Sequence, residues 1–261
     1  MGRIQEILMI KLGGSVITNK NSPYVANPRH IRALARIIRQ INVPLVVAHG
    51  TGSFGHTSAA KYGGMHGYKN SLGIAKVSQD ALEINSIVMR CFIEEKVPAI
   101  ALRPSAFLVA DKGVLSAQFL APVELILKQG LVPVIYGDVI WDKSWESTIF
   151  SGETTLSYLA TYFLQQGVAI KNIIELSATK GVLDTNGQTI VEVTPQNWKT
   201  VKQLFFVSNT VDVTGGMQHK VEQALILAQN AIATRIIDGN DLSQVAHVLL
   251  KNGTAGTLVH S

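Results

Sequence analysis

Charge is scarce in this 261-residue chain: Asp, Glu, Lys and Arg make up 16% of it, against ~25% in an average globular protein. With 47% hydrophobic residues, that excludes a disordered chain and predicts a sizeable buried core. Cysteine is almost missing, and the lone Cys91 excludes both an intramolecular disulfide framework and a cysteine-built zinc site. No apolar run approaches the ~18 residues of a membrane span; the longest, Leu131 to Trp141, is broken by Gly137 and Asp138. The N-terminus carries no signal-peptide pattern, and Glu6 breaks the myristoylation pattern after Gly2, so the cytoplasm is the expected compartment. Repeats and linker-like Gly/Ser/Pro stretches are also missing, which predicts one compact unit. What charge there is leans positive: 23 Lys and Arg against 18 Asp and Glu give +5, which favours anionic ligands.

Short apolar runs recur at Ile7 to Leu12, Pro44 to Ala48, Pro98 to Leu102, Leu131 to Tyr136, Asn172 to Leu176 and Thr234 to Ile237. Segments of helical period separate most of them, which predicts an α/β fold whose mainly parallel sheet is covered on both faces. Asn27 before Pro28 reads as an N-cap with proline at the first helical position, followed by an apolar face of Ile31, Leu34, Ala35, Ile38 and Ile41. Its other side carries Arg29, Arg32, Arg36 and Arg39. Without aromatics or a groove-reading motif, this is a solvated face and no nucleic-acid partner is expected. A second stripe runs through Ile74, Val77, Ala81, Ile84, Val88 and Cys91, and Thr194-Pro195 reads as another helix start. Asp111-Lys112-Gly113 and Asn186-Gly187 read as hairpin turns at sheet edges or at the mouth of a cleft.

Four glycine-containing segments fall where strands give way to loops or helices, the place where open α/β sheets bind ligands. Lys11-Leu12-Gly13-Gly14-Ser15 is neither a Walker loop nor a dinucleotide fingerprint; it is either an ordinary turn or a close backbone approach to a phosphate, with Lys11 and Lys20 adding charge. His49-Gly50-Thr51-Gly52-Ser53-Phe54-Gly55-His56 can fold into a nest of amides around an anion, with His56 either a ligand contact or a structural hydrogen-bonding residue. Tyr136-Gly137-Asp138 and Ser151-Gly152-Glu153-Thr154 bring two carboxylates. Glu153 opens a helix running to Gln166, where it either complements the helix dipole or joins the site. Asp212-Val213-Thr214-Gly215-Gly216-Met217 leads into a further helix, with Thr214 as N-cap and Lys220 one turn in. Together the four segments describe a phosphate-rich cleft.

Lys-Leu-Gly-Gly-Ser at 11–15 with Lys20, Gly-Ser-Phe-Gly-His at 52–56, Tyr-Gly-Asp at 136–138, Asp-Val-Thr-Gly-Gly-Met at 212–217 with Lys220, and Gly-Asn at 239–240 occur in an order that resembles the isopentenyl phosphate kinases of the amino acid kinase superfamily, essentially end to end. The resemblance implies a three-layer sandwich around an open, mainly parallel sheet, with an acceptor lobe near residues 1–150, a nucleotide lobe near 151–261, and a homodimer. It implies transfer of the ATP γ-phosphoryl group to a prenyl monophosphate. Lys11, Lys20 and Lys220 would neutralise the ATP phosphates, oriented by Glu153. Gly13, Gly14, Ser177, Gly181, Gly215 and Gly216 would lie along the nucleotide. Gly50, Thr51, Gly52, Gly55, His56 and Gly152 would hold the acceptor phosphate, and Ile74 and Val77, with Ala81 deeper, would meet its tail. The chain has no dense carboxylate cage, so Mg²⁺ would be held largely by ATP oxygens and water, not by protein ligands.

Three departures stand out. Thr51 replaces a usual glycine, a poor choice if that position needs positive φ. Glu153-Thr154 stands where two aspartates are usual. Ser177-Ala178-Thr179-Lys180-Gly181 lacks the two acids usual near the nucleotide, which predicts altered nucleotide recognition. A kinase for another small phosphate, phosphonate or carboxylate, or a degenerate binding protein without turnover, is the alternative reading.

Overall fold

The computed structural model of the chain describes residues 4–19, 21–64, 67–207 and 216–261. In chain order it begins with β1 (Glu6–Leu12), α1 (Gly14–Ile17), α2 (Pro28–Ile38), β2 (Leu45–His49), α3 (Gly52–Tyr62), β3 (Gly63–Gly64), β4 (Gly67–Tyr68), α4 (Ser71–Glu94), β5 (Ala99–Ala101), β6 (Leu108–Asp111), β7 (Val114–Gln118), α5 (Ala121–Lys128) and β8 (Val132–Tyr136). It continues with β9 (Asp138–Asp142), β10 (Glu146–Phe150), α6 (Gly152–Gln165), β11 (Ala169–Ser177), β12 (Glu192–Val193), α7 (Trp198–Val207), α8 (Gly216–Ala228), β13 (Thr234–Asp238), α9 (Leu242–Lys251) and β14 (Thr257–Val259).

Among the described residues eight strands form one sheet in the order β12-β14-β13-β11-β1-β2-β8-β5. Only β13 and β14 pair antiparallel in it; the other neighbours are parallel. Strand β1 shows why: Ile7 to Leu12 is buried throughout, as a strand covered on both faces must be. Its side chains alternate between the faces. Leu8, Ile10 and Leu12 join a core with Leu34 of α2, Ile84 of α4 and Val245 of α9. Ile7 and Met9 join the opposite core with Val123 of α5 and Leu156 of α6. A smaller cluster packs Val221 and Ala224 of α8 on Ile236 and Val259. Helices therefore cover both faces, giving the expected three layers. The odd residue Lys11 is carried to the face that α6 covers.

Asn27 caps α2 by accepting a hydrogen bond from the His30 amide, and Pro28 follows at the first position. The helix ends at Ile38, so Ile41 packs against the core from beyond it. Two arginines of the basic stripe are occupied: Arg32 pairs with Glu94 and Arg36 with Glu95, at the end of α4. Thr194-Pro195 lies one turn ahead of the helix expected there, and the Trp198 amide donates back to the Thr194 carbonyl. Thr194 and Asn197 exchange hydrogen bonds around a turn, and α7 begins at Trp198. The Lys112-Gly113 turn joins β6 to β7 in a smaller sheet of order β10-β9-β6-β7. There Asp142 accepts from the amides of Lys112, Gly113, Ser144 and Trp145, locking two hairpin turns with one carboxylate.

Candidate active site

The carboxyl ends of β1, β2 and β8 open on one cleft of about 700 Å³. Backbone hydrogen bonds hold the first two loops to the strands beside them: the Gly13 amide donates to the Leu176 carbonyl and the Gly50 amide to the Leu12 carbonyl. The loops then touch each other. A Cβ on Gly14 would stand 2.5 Å from the Gly52 nitrogen, and one on Gly50 would stand 2.8 Å from the Gly14 nitrogen. Thr18 stitches the contact, donating from its hydroxyl to the Gly14 carbonyl and accepting from the Ser53 amide. The positive φ in this turn falls on Gly52, at 52°, whereas Thr51 sits at −85°. The threonine is therefore unstrained, and the departure from the glycine pattern costs the backbone nothing.

Helices α3, α6 and α8 begin at Gly52, Gly152 and Gly216, and all three glycines line the cleft. Amide-rich helix starts converging on one space favour anions. The Ser151 hydroxyl caps α6 by accepting from the Thr154 amide, which sets Glu153 in the first turn. There Glu153 is ion-paired with the buried Lys11. Burial alone would raise its carboxyl, but Lys11 and Lys220 outweigh that and hold it at about 2. Lys220, one turn into α8, is pushed below the ordinary lysine range by burial and by Lys11, against Glu153 and Glu175. Two lysines and a carboxylate thus face the cleft, an arrangement suited to gathering phosphate oxygens.

The same lining has an apolar part, with Ala59 and Ala60 of α3, Val77 and Ala81 of α4, Val139 of β9 and Ile149 of β10. Asp138 also lines the cleft and is already engaged. It accepts from Ser78 and from the Val139 amide, and pairs with Arg103 at 3.2 Å. Beneath it His49 is fully buried, stacked on Tyr136, with Nδ1 at the Gly50 carbonyl and Nε2 at the Asn85 Oδ1. Burial lowers its affinity for a proton, which suits a rigid support under the Gly50 loop.

Of the residues expected at the site, Lys11, Gly14, Gly50, Thr51, Gly52, Gly55, His56, Val77, Gly152, Glu153, Gly216 and Lys220 line this cleft, and Gly13 anchors the adjoining turn. Ile74 does not line it among the described residues. It stands half-buried one turn before Val77, so the α4 stripe meets the cleft at Val77 and Ala81. Ser177 and Gly181 also lie off the described lining: the Ser177 carbonyl accepts from the Gly239 amide, and Gly181 packs against Thr257. Lys20, Thr214 and Gly215 lie outside the described residues. Sequence reading missed Glu175. Its signal was a charged residue inside an apolar strand run, Ile173-Ile174-Glu175-Leu176, as Lys11 is in β1.

The family model for the amino acid kinase family matches residues 6–238. The isopentenyl phosphate kinase of Haloferax volcanii is 33% identical over 230 residues, spanning 86% of this chain and 90% of that protein. The enzyme of the same name from Methanothermobacter thermautotrophicus is 29% identical over 266 residues, spanning 97% and 98%. A crystal structure of an isopentenyl phosphate kinase superposes with a TM-score of 0.79 at 26% identity, covering 97% of this chain and 99% of that one.

Proposed function

The chain belongs to the amino acid kinase family and, within it, to the isopentenyl phosphate kinases; on that premise we propose that it transfers the γ-phosphoryl group of ATP to isopentenyl phosphate, giving isopentenyl diphosphate. The observation that carries this is the mixed lining of one cleft: Lys11, Lys220 and three helix starts share it with the apolar side chains of Ala59, Ala60, Val77, Ala81, Val139 and Ile149, and the Gly14 and Gly52 loops touch at its wall. An acceptor phosphate is already a nucleophile at neutral pH and needs positioning and charge neutralisation more than a base. The Gly50–Gly52 loop, the start of α3 and His56 would hold that phosphate. Gly13, Gly14, Gly216, Lys11 and Lys220 would receive the ATP phosphates, with Glu153 fixing Lys11. Among the described residues no three His, Cys, Asp or Glu side chains cluster as a metal cage. Glu153 is committed to Lys11 and Asp138 to Arg103, which fits Mg²⁺ arriving with ATP and held by phosphate oxygens and water. A cytoplasmic homodimer completes the proposal, and no helix among the described residues is long and apolar enough to cross a membrane.

The intact Lys11–Glu153 pair favours turnover over a binding-only role. An assay of ATP consumption with a panel of small monophosphates tests this: the highest kcat/KM is expected for isopentenyl phosphate, and a flat or empty panel overturns it. His56 is exposed at the cleft one turn into α3. His56→Ala is expected to weaken acceptor binding and slow turnover together, by about 10- to 1,000-fold in kcat/KM for a lost charge-assisted contact. Wild-type kinetics would make His56 structural.

Chain length is the second check. A prenyl tail has no polar handle, so each buried CH₂ contributes ~0.8 kcal/mol through apolar contact alone. The apolar side chains Ala59, Ala60, Val77 and Ala81 of the lining are small, and activity is expected on dimethylallyl phosphate and, to a lesser degree, on geranyl phosphate. Because the stripe reaches the cleft at Val77, Val77→Trp should depress the geranyl substrate more than isopentenyl phosphate. Equal loss on both would place the tail elsewhere.

A further inference from the structure

Glu175 sits in the middle of β11, with Lys11 of β1 as its Cα partner on one side and Ile236 of β13 on the other. Alternation along β11 assigns it the same sheet face as Lys11: Ile173 belongs to the core under α6, whereas Ile174 and Leu176 belong to the opposite one. It is 4% exposed, and its Oε2 has no hydrogen-bond partner among the described residues. The charged groups acting on it come from every side of this space: Lys11 from β1, Glu153 from α6 and Lys220 from α8. On β13 its Cα partner is the apolar Ile236, with Thr234 and Asp238 two residues away on either side.

A buried carboxylate with an unsatisfied oxygen is costly unless charge balance requires it. Here it does. Lys11 and Lys220 bring two positive charges and Glu153 one negative, so an ionised Glu175 makes the empty cluster neutral. Nucleotide phosphates bring several negative charges to the same lysines, and Glu175 then becomes the surplus anion. Resting on the kinase reading above, we propose that Glu175 is a positioning residue that balances the lysine pair in the empty cleft and takes up a proton from solvent when nucleotide phosphates bind. Its protonation removes the surplus negative charge and leaves Lys220, and Lys11 still held by Glu153, to serve the phosphates.

The position of the carboxyl supports this. Burial, reinforced by Glu153 and opposed by Lys11 and Lys220, raises Glu175 to about 7, where a change in nearby charge alters its proton occupancy at working pH.

The test is calorimetric titration of the protein with a non-hydrolysable ATP analogue and Mg²⁺, in buffers of different ionisation enthalpy, for the wild type, Glu175→Gln and Glu175→Asp. At pH 7 the wild type should take up roughly half a proton per nucleotide bound, the fraction a group at about 7 lacks beforehand. Glu175→Gln should lose most of that uptake and bind several-fold tighter than the wild type at pH 8, with the two equal at pH 6. Glu175→Asp, still ionisable, should retain uptake. Zero uptake by the wild type overturns the proposal, as does undiminished uptake in Glu175→Gln, which would place the proton on Lys220. Failure of Glu175→Gln to fold also overturns it, since glutamine mimics the protonated side chain. Absence of nucleotide binding by the wild type overturns the kinase reading itself, and this proposal with it.

Discussion

Lys220→Ala is expected to lower kcat by about 10²- to 10⁴-fold while leaving the melting temperature almost unchanged. Charge on the transferring group must be met as it moves, and a preorganised cation in a partly water-excluded cleft is worth several kcal/mol in the transition state. In the empty protein the same lysine is held below its ordinary range by burial and by Lys11, so its removal relieves a desolvation cost. Lys11→Ala should behave differently. It removes the partner of the buried Glu153, and an uncompensated buried charge costs ~3–5 kcal/mol. At ~2–4 °C per kcal/mol for a chain of this size, Lys11→Ala should lose both activity and roughly 6–20 °C of melting temperature. Acid should mimic part of that loss. Glu153 is depressed in the folded protein to about 2, so its contribution to stability is present above the ordinary glutamate range and disappears as pH falls toward that value. Steady-state kinetics and thermal unfolding of both variants check this; unchanged turnover in both would remove these lysines from the reaction.

Gly14→Ala should cost about 100-fold or more in kcat, though one methyl group is added. That methyl would lie 2.5 Å from the Gly52 nitrogen and 2.7 Å from its Cα, and both are backbone atoms that can yield only if the loops separate. A misplacement of about 1 Å between donor and acceptor sites is enough for a loss of that size. Gly130 supplies the control. It has φ of 72°, and a Cβ there would meet nothing within 4 Å, so Gly130→Ala should cost stability through backbone strain, at about 1–2 kcal/mol, and leave kcat alone. Full activity in Gly14→Ala would mean that the two loops do not set the distance over which the phosphoryl group moves.

Much of this was legible in the sequence because each signal had a local cause. The apolar runs became the strands β1, β2, β5, β8, β11 and β13, within a few residues at their ends, since strands of a sheet covered on both faces are mostly apolar. The first three glycine segments marked strand ends, which is where the cleft opens; of the fourth, Asp212 to Gly215 lie outside the described residues and Gly216 starts α8. Contact between those segments was not legible: that Gly14 meets Gly52, or that Glu153 reaches Lys11 across 142 residues, is a property of packing. The α4 stripe was read correctly as a periodicity, yet which of its turns faces the cleft depends on how α4 packs against α3, and that kept Val77 and Ala81 at the lining and left Ile74 off it. Thr51 looked problematic only because the sequence does not reveal that the positive φ falls one residue later. Glu175 escaped notice because an acid in a strand acquires meaning only when a lysine lies beside it on the next strand.

The central claim is that this cleft brings two phosphates together and moves one phosphoryl group between them. Incubation with γ-labelled ATP, Mg²⁺ and isopentenyl phosphate, followed by separation of the products, tests it most directly. The account predicts label in the terminal phosphate of isopentenyl diphosphate, formed in step with ADP and nearly abolished in Lys220→Ala. Label recovered only as inorganic phosphate, or in a diphosphate formed equally fast by Lys220→Ala, would contradict it.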